Sequence, residues 1–274
     1  MFPKKFIQRT TEYTTLEKSV PAPYFRKRFF LANLPPSAKI TVCGLGFYEL
    51  YLNGENITKG RFAPYISNPD DVLYYDRYEI AEKLHAGENL IALVLGNGFL
   101  NNPGGYVMGF DKAPYRDAPK VALSFEADGR LVFEADESFK TAPSPVLFDD
   151  YRMGEVYDAR KEIDRWNQIG FDDSSWQPAL SAVCPKGEAR LAAVEPILVQ
   201  AEYLPEEILE SGNGYIYRFP YNPRGSVPFA HCRVGGAEDY ARIRRILQRR
   251  QVGNAEYLFR RKLFQAFSPR RVYL

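Results

Sequence analysis

The 274-residue chain has 15% aromatic residues and 20 each of Gly and Pro, a mixture that favours strands and turns over helices. No apolar run is long enough to span a bilayer, and the opening MFPKKFIQRTTEYTT lacks the apolar core of a signal peptide. The three cysteines, Cys43, Cys184 and Cys232, match no metal spacing, so a cytoplasmic protein with reduced thiols, no metal and no cofactor is expected.

The net charge of +2 hides an asymmetry. From Ser226 to Leu274 there are 11 basic and 3 acidic residues, which leaves 25 basic and 31 acidic before that point. An acidic body has no general attraction for a phosphate backbone or an anionic membrane, so neither nucleic acid nor membrane is expected as a partner.

In chain order, residues 1–21 read as an N-terminal lead, and PYFRKRFFLANL (23–34) as a strand ended by Pro35-Pro36. AKITVCGLGFYELYLNGENI (38–57) holds two runs of period-2 character that meet Asn53-Gly54, a pair whose tolerance of positive φ suits a tight hairpin. In the second run Tyr48, Leu50 and Leu52 share one face, and Phe47, Glu49 and Tyr51 the other. VLYYDRYEI (72–80) and LIALVL (90–95) predict further strands, the latter closed by Gly96-Asn97-Gly98. KVALSFEADGRLVFEAD (120–136) predicts a second hairpin about Asp128-Gly129. Residues 156–179 read as a long polar loop with a helical turn or two, 194–205 as an extended crossover, and 214–225 as the start of a second β unit. Short strands between frequent turns predict an all-β, jelly-roll-type sandwich over 22–190, then the first strands of a second β domain over 191–225.

Three segments carry a resemblance. GLGFYELYLNGENI is followed by RFAPYISNPDDVLYYDRYEI with GENLIALVLGNGF, and then by DDYRMGEVYDARKEIDRWNQIGFDDSSWQPA. Together, in this order, they resemble the N-terminal region of bacterial α-L-rhamnosidases, glycoside hydrolase family 78, over about residues 22–225. The resemblance implies an accessory β-sandwich that helps recognise a rhamnose-containing glycan or glycoside. It also implies docking against a catalytic α/α barrel further along the parent chain. Hydrolysis with inversion needs two carboxyl groups mounted across a rigid cleft. The barrel supplies them in that family, so this chain by itself is expected to be inactive. Glu155 and Asp158 lie on one extended segment and would face opposite ways.

Several residues are candidates for sugar contacts, each with a structural alternative. Tyr48 and Asn53 could form a platform, or serve as core and turn residues of the hairpin. Asn97 could meet a hydroxyl, although its glycines read as a structural turn; the spacing fails the phosphate-loop pattern. Arg152, Glu155 and Asp158, with Arg160, could bind hydroxyls or form ion pairs that fix a loop. Trp166 and Trp176 could stack on a sugar or anchor the polar loop. His85, beside a turn, reads as a solvated histidine.

The basic tail, 226–274, allows three readings. It has little aromatic interleaving for a nucleic-acid arm, and Gly253-Asn254 ends an amphipathic helix early. The third reading is translation out of frame from near Gly225–Ser226. Permitted codons for Gln248 to Arg260, advanced by one nucleotide, give the strand-like string SGGKLEMRNIFF. On that reading the tail is aberrant and poorly ordered.

Overall fold

The computed structural model describes residues 2–104, 109–199, 206–211, 214–218, 226–231, 241–246, 256–260 and 271–273. Two compact units divide the chain, residues 1–152 with 163–198, and 153–162 with 199–274.

The first unit is a β-sandwich. Its larger sheet has seven strands: β1 (Phe6–Gln8), β3 (Ala38–Leu45), β6 (Val72–Glu79), β8 (Lys120–Ala127), β9 (Arg130–Glu134), β14 (Leu180–Ala182) and β15 (Glu188–Leu191). The order is β14-β1-β8-β3-β6-β15, with β9 also paired to β8. The second sheet, β13-β10-β2-β7-β4-β5, contains β2 (Pro23–Leu31), β4 (Tyr48–Leu52), β5 (Glu55–Asn56), β7 (Gly87–Leu95), β10 (Lys140–Pro143) and β13 (Gln177–Pro178). Residues 1–21, read above as a lead, contribute β1, which pairs with both β8 and β14.

The period-2 pattern is realised directly. Tyr48, Leu50 and Leu52 of β4 are buried while Glu49 and Tyr51 keep partial exposure. With Ile91, Leu93 and Leu95 they pack against Ile40, Val42, Leu123 and Phe125 of the other sheet. Strand β3 is buried on both faces, since Cys43 and Leu45 join Phe6, Leu73 and Ala122 in a second apolar cluster on the sheet's far side. A strand covered on both sides needs a continuous apolar run rather than alternation, as ITVCGL supplies.

Both hairpin turns have positive φ at their two central residues, Asn53 at 52° with Gly54 at 91°, and Asp128 at 49° with Gly129 at 73°. This is the conformation that Asn-Gly and Asp-Gly pairs adopt at least cost. The Asn53-Gly54 turn joins β4 to the two-residue β5. Strand β3 passes instead into the other sheet through Gly46, whose φ is 128°. A Cβ there would lie 2.1 Å from the carbonyl oxygen of Gly96, so this crossing is open only to glycine.

The second unit holds β12 (Gly154–Asp158), paired antiparallel with β21 (Arg271–Tyr273). It also holds the sheet β16 (Glu207–Ser211), β17 (Gly214–Arg218) and β20 (Glu256–Arg260), and the pair β18 (Ser226–His231) with β19 (Ala241–Ile246). The basic run 242–251 is therefore strand up to Ile246, not helix, and 247–251 lie outside the described residues. Of the tail read as out of frame, residues 232–240, 247–255, 261–270 and 274 lie outside those described, as do residues 200–205 of the 194–205 crossover. Among the described residues there is no α-helix, and no helix is long and apolar enough to cross a membrane.

Candidate functional site

The polar loop between β12 and β13 is an ordered strap whose residues from Ile163 onward lie over the outer face of β2. Alternation along β2 places Tyr24, Arg26 and Arg28 on that face. Trp166 stacks on Tyr24 with ring centroids 3.9 Å apart, and its edge meets Tyr51 at 5.3 Å. Trp176 is buried, parallel to Tyr24 at 6.1 Å and edge-on to Phe171 at 5.6 Å. Beneath them lies Arg26, 0% exposed. Its guanidinium pairs with Asp173 at 2.9 Å, donates to the carbonyls of Gln168 and Phe171 at 3.1 Å each, and sits 5.0 Å from the Phe171 ring centroid. Burial depresses the Arg26 pKa, and Asp173 opposes that shift. Gly170, at φ 85°, reverses the chain so that Phe171 and Asp173 can reach back to Arg26.

The sequence-predicted residues do not converge on one site within the sandwich. Tyr48 is a core residue whose hydroxyl donates to Asp76 at 2.6 Å and lies 2.8 Å from that of Tyr78; burial raises the pKa of both phenols, that of Tyr78 to about 12. The Asn53 side chain accepts from the Leu90 amide at 2.8 Å and donates to Asn89 at 3.0 Å and to the Lys83 carbonyl at 3.2 Å, fixing the turn to β7. Asn97 is buried; its side chain donates to the Asp149 carboxylate at 3.0 Å and accepts from Asn101 at 2.9 Å. His85 is exposed. In the second unit, Asp158 is buried and takes Arg160 in a two-point ion pair with both contacts at 2.7 Å, which holds its carboxyl below the usual range. Glu155 is half-buried on the same strand.

Arg152 differs from these. Its Nε donates to the Tyr151 hydroxyl at 2.5 Å and its guanidinium lies 5.2 Å from that ring's centroid. Among the described residues, no carboxylate comes within ion-pair distance of it.

Sequence reasoning missed Arg26, Asp173, Asp149 and an aromatic row. Asp149, at the end of β11 (Val146–Asp150), also accepts the Asn97 amide at 2.7 Å, yet burial pushes its carboxyl up to about 6. Phe47 meets Phe62 at 5.4 Å and Phe99 at 5.2 Å, and Phe99 meets Tyr151 at 4.9 Å. The only local signal was the aromatic content of GFYELY and GNGF.

The features together define an all-β module with a rigid strapped face, and no metal-binding cluster occurs among its described residues. Residues 34–201 match the alpha-L-rhamnosidase N-terminal domain family, and the chain belongs to it. An alpha-L-rhamnosidase of Formosa agariphila is 31% identical over 217 residues, 75% of this chain and 22% of that protein. One from Streptomyces avermitilis is 28% identical, over 73% of this chain and 19% of that protein. Among solved structures, the alpha-L-rhamnosidase from Dictyoglumus thermophilum superposes with a TM-score of 0.72 at 28% identity, covering 85% of this chain and 27% of that one. The Streptomyces avermitilis enzyme complexed with L-rhamnose gives 0.66 at 25% identity, over 80% and 22%. The chain thus spans about a fifth of the length of the curated relatives it matches.

Proposed function

We propose that this chain is the accessory module of an α-L-rhamnosidase, serving a parent enzyme that removes terminal α-L-rhamnose from glycans or glycosides, and that it carries out no hydrolysis alone. Its main task is structural: it gives the parent's catalytic domain a rigid shoulder to dock on. The observation that carries this reading is the inward commitment of the candidate residues. Tyr48, Asn53, Asn97, Asp158, Trp166 and Trp176 direct their hydrogen bonds or ring faces into the module itself. The buried carboxylates are similarly engaged, Asp173 by Arg26 and Arg28, Asp150 by the Gly104 and Arg152 amides, and Asp158 by Arg160. A general acid has to be free to deliver a proton to a leaving oxygen, and these are held by other work.

Titration with L-rhamnose while following tryptophan emission tests the assignment of the strap. Trp166 and Trp176 already stack on Tyr24, so no saturable change is expected, and a saturable one contradicts the structural role.

One observation favours a second reading for the tail alone. The acidic body and the strongly basic 226–274 segment differ as in-frame and shifted translation would. Resequencing codons 220–230 decides it: an inserted or deleted nucleotide is expected, and an intact frame with no strand-like alternative downstream removes the idea.

A further inference from the structure

The larger sheet ends on β15 (Glu188–Leu191), which pairs in parallel with β6 on one side and, among the described residues, with nothing on the other. Along a paired strand, successive residues turn their amides and carbonyls to opposite sides. The Glu188 amide donates to the Asp71 carbonyl and the Ala192 amide to that of Tyr75, both towards β6. Ala189 and Leu191, the alternate residues, therefore direct their amides and carbonyls to the open edge. Such an edge is a template for another strand unless something blocks it.

Charge is one way of blocking an edge, and β15 carries two charged residues. Glu188 and Arg190 share the face of Val72 and Tyr74, pair with each other at 2.8 Å, and are each more than half exposed. Their opposite signs and spacing of two reverse the usual consequence. An antiparallel second copy of β15, centred on Ala189, sets each Glu188 opposite the other copy's Arg190 about a two-fold axis. Directly opposite residues of an antiparallel pair project from one face, so unlike charges there stabilise the pairing and like charges oppose it.

Other registers do not offer this match. Centring on Glu188 or on Arg190 places like charges together, and centring on Leu191 sets them against Ala192 and Val194. The register that charge selects is also one in which the two Ala189 residues, with outward amides and carbonyls, exchange both their hydrogen bonds. Pairing also shields Leu191, which is 45% exposed on the opposite face. The strand at the sheet's other end, β14 (Leu180–Ala182), carries no charge and offers no comparable match.

We propose that β15 is a homodimer interface: two copies of the chain join edge to edge, antiparallel about Ala189, in one continuous sheet. The partner is a second copy of this chain, and the assignment goes beyond the module's role beside a catalytic domain.

Sedimentation velocity of the full chain across about a hundredfold range of concentration tests this. A reversible monomer–dimer equilibrium is expected, and it should weaken as salt screens the facing charges. Ala189→Pro removes the outward amide at an edge position that tolerates proline, so the variant should melt as the wild-type monomer does and form no dimer. Glu188→Arg and Arg190→Glu should each raise the dimer dissociation constant about tenfold or more, because like charges then face each other. Mixed together, these two variants should form a heterodimer, since each supplies the charges that the other lacks. That recovery separates a charge effect from misfolding. A chain that stays monomeric, a dimer that survives Ala189→Pro, charge variants that associate no better mixed than alone, or species that grow beyond dimers would each overturn the proposal.

Discussion

Arg26 and Asp173 show how a single pair can hold an element in place. Removing one partner of a fully buried ion pair strands the other's charge, which costs about 3–5 kcal/mol, while replacing both with apolar groups can recover most of it. Asp173→Ala is thus expected to lower the unfolding free energy of the chain by about 3 kcal/mol. Arg26→Met with Asp173→Leu is expected to restore much of that loss, as measured by urea denaturation; a single mutant as stable as wild type contradicts the account. Asp149 makes a pH-dependent contribution of the opposite kind. Its carboxyl is raised to about 6 by burial, so the native state binds this proton more tightly than the unfolded chain does. The associated stability is fully present below pH 4 and is lost as pH rises through 6. The wild-type advantage over Asp149→Asn should fall by up to about 3 kcal/mol between pH 4 and 7. A difference that stays flat across that window rules the assignment out. Neither residue was legible in the sequence. Arg26 sits in an Arg-Lys-Arg run that looks solvated, and only the strap, more than 140 positions away, buries it. Asp149 gains its character from burial beside the Asn97 turn, 52 positions away, which no local pattern encodes.

At the scale of elements the sequence was much more informative, because the strands rest on local alternation and the two hairpins on Asn-Gly and Asp-Gly chemistry. What it did not reveal is that β3 and β4 belong to different sheets. Continuous apolar character in ITVCGL signals burial on both faces, but the change of sheet depends on Gly46 passing the Gly96 carbonyl. Gly46→Ala should therefore unfold the module or depress its melting temperature far more than Gly87→Ala, where a Cβ meets nothing within 4 Å. Both positions have positive φ, so the contrast isolates the steric contact from backbone strain. Equal melting temperatures for the two variants would contradict the crossing described here. The strap offers a parallel case: its Trp and Gly-Phe-Asp-Asp residues stood out in the sequence, but their target on β2 did not.

For the whole molecule, the order of motifs pointed to the family before any geometry was known, since family-wide spacing survives at identities near 30%. The chain's role within a parent enzyme was less legible, because sugar-binding and structural aromatic residues look alike until their neighbours are placed. Here the placement turns most of the candidates inward. The central claim is that this module serves hydrolysis without performing it. Release of chromophore from an aryl α-L-rhamnoside by the purified chain, at micromolar protein over many hours, tests that claim most directly. The account predicts no release above the buffer control, and turnover proportional to protein concentration that co-purifies with the chain would contradict it.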